Sequence, residues 1–488
     1  MRKKIIIIAA ILVVIIGALV LLFYIENLET DEAVESTWTP RDVIYILGES
    51  SEDTPYALTV DVYNEQGSFT IINIGQDDRS RYLFTVKGLE DFDLQNDRIN
   101  SISNTARVMV ALDIVIEGET ELSDFGLADP AATIDVQYMD GTSATVLIGN
   151  RVPGGGTYAK RDGVPIIYRV TDSMANNFLL REMDFVDTII TEFIDNEFGM
   201  ILDVKKAVLG GSIRPDPIVI EAVPPRGEND PLNLTMHLIV SPINGRLSHT
   251  FGFEKIATAY GLIANRVEAK FETIEELRQW GLDEPYSTLE IVSIENDSFT
   301  LLASAPNEEG LSYIVRENRP FVYSIDSSFL PWLELTYFDI MDKLLIMPSI
   351  SSVSVLEVHL PDRSIFITIE GDGNDLEVFV DGIPYEANAG VDSIGNFRNL
   401  YRDFLSTGIH SIPDEPMPNN APVLVQFVYN YRHDRPPDTV TIYGGAARRV
   451  FIQLNDETPM LGLSSFVDHL LNSIDTFLLG EQVITYIR

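Results

Sequence analysis

At 488 residues the chain is long enough for about three domains at roughly 150 residues each. Its 74 acidic and 34 basic residues leave a net charge of −40, which argues against nucleic acid and against an anionic lipid surface as partners. There is no cysteine, which excludes disulfides, thiolate catalysis and zinc–cysteine sites; no two of the six histidines stand at the i, i+4 spacing that presents a metal from one helix face.

The chain starts "MRKK", a basic tail over residues 1–4. Residues 5–25 follow as 21 uncharged residues, enough at 1.5 Å per residue to cross a hydrocarbon core about 30 Å thick. With Arg2, Lys3 and Lys4 on one side and Glu26, Glu29, Asp31 and Glu32 on the other, the run predicts a single-pass signal-anchor helix. Its N-terminus would be cytoplasmic and the bulk of the chain extracytoplasmic. Residues 26–42 are acidic, contain Pro40 and read as a stalk.

A first module is expected over 43–195. The strand-like runs "YALTVDVY", "FTIINIG" and "RYLFTVKG" precede a helix near Leu94 to Ala111 and the strand "LDIVIE". Then comes "LSDFGLADPAAT", Leu122 to Thr133, whose near-copy "LRQWGLDEPYST" recurs 155 residues later from Leu277 to Thr288. The conserved spacing between the two copies falls on Leu122, Gly126, Leu127, Pro130 and Thr133, and again on Leu277, Gly281, Leu282, Pro285 and Thr288. The phrase predicts a short helix stopped by a left-handed glycine and a proline, feeding a strand; in the second copy Thr273 and Glu276 have capping-box spacing. It is a structural joint.

The repeat continues at the same offset. Tyr158, Arg161 and Tyr168 return as Tyr313, Arg316 and Tyr323 on a hairpin, and Asp187 returns as Asp342. The second module, 196–347, repeats the order of strands, a helix near Glu254 to Ile263, and "VEAKFE". A third, degenerate module over 348–488 keeps the strands, a helix near Ser393 to Leu405, "GIHSI" and a helix near Leu463 to Ile474. It replaces the joint with "PDEPMPNNAP". The expected architecture is one transmembrane helix followed by three tandem α+β modules with mainly antiparallel sheets.

The joint together with "DGTSATVLIGNRVPGGGTYAKRDG" resembles the bacterial domain-of-unknown-function family 4340, most strongly over Leu122 to Asp187 with a weaker echo over Leu277 to Asp342. The resemblance implies an accessory role at the membrane, beside ABC-type export or gliding-motility-like systems, and brings no catalytic residue, ligand or cofactor.

"VPGGGTYAK" lacks the spacing of a phosphate loop and reads as a hairpin loop, and "GDGNDLE" lacks the register of a calcium loop and reads as a turn. No catalytic residue, metal ligand or cofactor is assigned. Tyr158, Arg161, Tyr168, Tyr313, Arg316 and Tyr323 are the candidate interaction surface, since Tyr and Arg favour interface hot spots; cross-strand packing is the competing explanation. The expected function is a non-catalytic scaffold or accessory protein with partners in the membrane or envelope. The alternative is a receptor for a small molecule, glycan or peptide between modules, followed by an extracellular hydrolase.

Overall fold

The computed structural model describes residues 43–51, 53–193, 204–223, 237–373, 375–432 and 434–485. They build two compact units. One holds 96–181 with the described residues up to Glu90; the other holds Asp91–Gln95 with the described residues from Glu182 onward.

In the first unit, alternating apolar and polar residues place side chains on opposite faces of each strand. Val60 and Val62 are buried while Tyr63 is exposed. Eight antiparallel strands run from edge to edge in the order Tyr82–Val86, Gly67–Gln76, Ala57–Asn64, Ala132–Tyr138, Ser143–Arg151, Thr157–Arg161, Ile166–Val170, Asp113–Glu117. A separate two-stranded ladder pairs Ile44–Leu47 with Met109–Ala111. The helix Asn96–Arg107 buries Ile99, Ile102 and Ala106 along one face.

The second unit contains two more sheets of the same design. One runs Gly245–Arg246, His237–Ser241, Ile218–Ala222, Val204–Gly210, Ser287–Ser293, Ser298–Ala303, Leu311–Arg316, Phe321–Asp326, Arg266–Lys270. The other runs Ile383–Pro384, Glu377–Val380, Ser364–Glu370, Val353–His359, Val423–Tyr431, Asp438–Gly444, Arg449–Leu454, Met460–Leu463. Where the first two large sheets end in a strand, the expected strand "GIHSI" forms only two isolated bridges, Gly408 to Leu344 and Ser411 to Leu461.

Each sheet's core is the ladder between its first strand in sequence and the strand that enters its centre later. Val60 faces Val136 and Val62 faces Ile134. Ala207 faces Ile291 and Leu209 faces Leu289, while Leu356 faces Tyr429 and Val358 faces Phe427. None of these side chains is more than 1% exposed.

The expected α+β class is overturned. The described chain is mostly β, in four antiparallel sheets, and among the described residues only the helices Asn96–Arg107, Ser393–Leu405 and Ser464–Leu478 exceed ten residues. The other expected helices are cut short: the one near Glu254 is Glu254–Ala257 behind a π-helical turn, and the joint helices are 3₁₀ turns. The transmembrane helix expected over 5–25, its flanking tail 1–4 and the stalk 26–42 lie outside the described residues. Among the described residues no helix is long and apolar enough to cross a membrane. The boundary expected near 195 also lies outside them. The three large sheets fall within 43–195, 196–347 and 348–488, yet the last two share one compact unit.

The repeated phrase has a topological task. The strand before it lies at a sheet edge and the strand after it at the sheet centre, so the phrase carries the chain past three strands, roughly 19 Å at about 4.8 Å per spacing. Leu122–Phe125 forms a 3₁₀ turn, Gly126 takes φ 69°, and the Leu127 N–H donates back to the Leu122 carbonyl at 2.9 Å. Ile274–Trp280, Gly281 at φ 68° and the Leu282 bond to Leu277 at 3.1 Å repeat this. Leu127 and Leu282 are buried, and Leu277 and Leu282 pack with Val315 and Val322. The expected capping box does not form: the Glu276 carboxylate accepts the Glu272 N–H at 3.2 Å rather than that of Thr273. Thr273 makes no side-chain bond to the turn's N–H groups; its hydroxyl instead donates to Glu276 at 3.2 Å.

At Gly126 an added Cβ would lie 2.5 Å from the Asn150 side chain, whereas at Gly281 the nearest atom is the Ser304 Cβ at 3.8 Å. Gly281→Ala should therefore cost only the left-handed backbone strain, about 1 kcal/mol. Gly126→Ala adds a steric clash and should lower the denaturation midpoint further; equal losses in a denaturant titration would contradict this packing difference.

Candidate functional site

The six candidate surface residues are placed mainly in packing. Tyr158 meets Phe125 edge-on at 5.0 Å between ring centres, and Tyr313 meets Trp280 edge-on at 4.7 Å, so each locks a hairpin onto its joint. Tyr168 and Tyr323 are buried in the last hairpin strand and offer no free face. Arg161 is half-buried opposite Val146. Arg316 donates to the Ile190 carbonyl at 3.1 Å. The structure does not gather these residues into one surface.

What it does gather lies in the second unit, around two short connectors, Val186–Ile190 and Met341–Leu345. Each begins with an Asx turn: Asp187 accepts the Ile189 N–H at 3.1 Å, and Asp342 accepts the Leu344 N–H at 3.0 Å. The recurrence of this aspartate is thereby explained. On one side, the Asp187 N–H donates to the Asp93 carbonyl and the Gln95 N–H to the Phe185 carbonyl. The second connector repeats this with Asp342 to Arg246 and Ser248 to Ile340. On the other side, Ile190 donates to Leu262 and Ala264 to Thr188, matched by Leu345 to Thr407 and Ile409 to Lys343. Each connector is thus a backbone splint joined along both flanks.

Arginines complete the splints. Arg319 donates to the Ile189 carbonyl at 3.0 Å, Arg316 takes Ile190, and Arg246 donates to the Leu344 carbonyl. A guanidinium suits this work because it stays charged and presents several fixed donors.

A recess opens beside each splint. The first, of about 240 Å³, lies among Asp93, Asp187, Arg319, Phe321 and Tyr323. Here Arg319 also approaches Asp93 at 3.9 Å and Glu192 at 3.8 Å. The second, of about 300 Å³, lies between the second and third large sheets. Arg246, Asp342 and Glu457 line it together with Met341, Leu345 and Met460. Burial pulls the Arg246 guanidinium below its ordinary pKa, while Asp342 and Glu457 pull it back up. Glu457 keeps exposed surface, and it is the protein crowded around the cavity mouth that raises its carboxyl; Arg246 lowers it and Asp438 adds to the rise.

Other chemistry-bearing groups have structural partners. Ser473 donates to the buried Asp403 at 2.7 Å and His469 Nε2 lies 3.0 Å from the same carboxylate oxygen. A hydrolytic relay needs the acid and the nucleophile on different ring nitrogens; here both meet Nε2, which ties two helices together. Arg214 is buried, with its donors on the Gly210, Trp332, Leu333 and Leu335 carbonyls and the Ser287 hydroxyl at 2.7 to 3.1 Å. In "VPGGGTYAK", Val152 and Gly156 close a hairpin loop, and Asp172 accepts from Thr157 at 2.7 Å.

Arg214, Arg246, Arg319 and Glu457 were not singled out from the sequence. One signal was present: Val186-Asp187-x-Ile189-Ile190 and Met341-Asp342-x-Leu344-Leu345 share the 155-residue offset and mark the connectors. The family described as Domain of unknown function (DUF4340) matches residues 85–215 and 256–417, together more than half of the chain. Each matched span contains a joint and the connector after it. No curated protein and no solved structure matches the chain.

Two outcomes follow from these environments. Arg214→Met leaves buried carbonyls without donors and should destabilise the second unit by about 3 kcal/mol or more in denaturant titration; a loss below about 1 kcal/mol would refute its role as a clamp. Tyr337 is buried, its hydroxyl donates to Asn244, and burial, with Glu457 adding, pushes its pKa up to about 12. The unfolded chain therefore loses this proton first. The contribution is whole below pH 10 and declines by about 1.4 kcal/mol per unit as pH climbs towards 12. Tyr337→Phe should lose less stability than the parent between pH 9 and 11, measured by denaturation midpoints.

Proposed function

The chain belongs to the DUF4340 family, and from that premise we propose that it is a non-catalytic scaffold or accessory protein working with protein partners at the extracytoplasmic face of the cell membrane. The observation that supports this most is the pair of splinted connectors. Backbone ladders and arginine clamps hold two large sheets in one compact unit, a frame suited to presenting surface. The location rests on the sequence, where the uncharged residues 5–25 follow Arg2, Lys3 and Lys4. An ABC-type export system is the class of partner that the family resemblance suggests.

A second reading has its own observation. A receptor for a small ligand held between modules calls for a cavity at a module junction, and one of about 300 Å³ lies between the second and third large sheets.

Affinity capture of the full-length chain from gently solubilised membranes, followed by mass spectrometry, tests the scaffold reading. Co-recovery of a transporter permease or its ATPase, in amounts comparable to the chain, is the expected result. Recovery of the chain alone across several detergents would sink it.

A further inference from the structure

The two recesses are built at equivalent places, beside equivalent splints, but their charges are disposed differently. In the first, the arginine comes from the hairpin turn of the following sheet and is held by the Ile189 carbonyl, with Asp93 and Glu192 close by. In the second, the arginine comes from the preceding sheet and the turn of the following sheet supplies Glu457 instead. Among the described residues Arg246 is half-buried and bonds one acceptor, the Leu344 carbonyl. The Glu457 carboxylate makes no hydrogen bond or close ion pair among the described residues and feels Arg246 only at longer range. In the first recess Arg319 stands 3.9 Å from Asp93 and 3.8 Å from Glu192, both exposed. The second sets the half-buried Arg246 and the exposed Glu457 over an apolar floor of Met341, Leu345, Ile409 and Met460, all buried.

We infer that this second cavity binds a small zwitterion with an apolar tail, of the free α-amino-acid class. The inference rests on the receptor reading above and names its ligand. A simple anion would meet Arg246 but also two carboxylates, Asp342 and Glu457. A simple cation would meet the carboxylates but also the guanidinium. A molecule carrying both charges answers each: its carboxylate takes charge-assisted bonds from Arg246, and its ammonium lies against Glu457. The methionine, leucine and isoleucine side chains then receive an apolar side chain. A volume of about 300 Å³ suits a molecule of amino-acid size and is too small for a folded peptide segment.

Calorimetric titration of the full chain with four probes tests this: L-leucine, leucinamide (ammonium only), 4-methylpentanoate (carboxylate only) and 4-methylpentan-1-ol (neither charge). The expected result is L-leucine binding at least about tenfold tighter than any of the others, the scale of one charge-assisted contact. Glu457 sits in an exposed turn, so Glu457→Gln should fold normally, checked by its melting temperature, and should shrink the advantage of leucine over 4-methylpentanoate to below about threefold. If the alcohol binds as well as leucine, the zwitterion assignment is overturned while the receptor reading survives. If none of the four binds at millimolar concentration, the amino-acid assignment falls.

Discussion

An antiparallel sheet whose outermost strand comes just before its central strand in sequence must return the chain across its own width. In the first two large sheets the strand that ends the edge (Asp113–Glu117, Arg266–Lys270) is followed by the strand that fills the centre (Ala132–Tyr138, Ser287–Ser293). Everything else in the sheet waits on that crossover, because the buried ladder forms only when the late strand lies beside the first one. The crossover has to stop a helical turn sharply, bury one side chain against the sheet and release the chain in extended form. A left-handed glycine, a buried leucine and a proline do this in both copies.

The second constraint is the sheet edge, where N–H and C=O groups lack partners unless something covers them. In the second unit the connectors supply cover and linkage together. The same backbone bonds form at Val186–Ile190 and at Met341–Leu345, and arginines take carbonyls the ladders leave over. In a chain with net charge −40, positive side chains are scarce. Arg214, Arg246, Arg316 and Arg319 all donate to backbone carbonyls. Cations here hold the frame together.

A frame and a ligand site can coexist in such a design. Repeating one joint creates equivalent recesses, and a repeat free to diverge can dispose the charges differently in each. The charge arrangement around Arg319 and around Arg246 differs in that sense. A ligand seated beside Met341–Leu345 would touch the splint, both flanking sheets and the Glu457 turn, so its binding would bear on how firmly those sheets are held.

The sequence by itself determined the repeat, the joint and most strands. These are local properties: period-two alternation marks a strand, and Gly126 and Gly281 mark turns whose backbone only glycine adopts readily. "DTVTIYG" and the helix Ser393–Leu405 are legible for the same reason. The class was misread because a short amphipathic run such as Ile274–Trp280 has helical spacing without the length to be an α-helix, and its 3₁₀ form is set by the crossover it serves. The role of the candidate residues stayed open because Tyr and Arg look alike in a hairpin and at an interface; which one applies depends on what faces them. Only the tertiary structure put Phe125 against Tyr158, buried Tyr323, or brought Arg246 and Glu457 to one cavity from positions far apart in the chain. That juxtaposition depends on how two sheets are joined, and no local pattern in the chain encodes it.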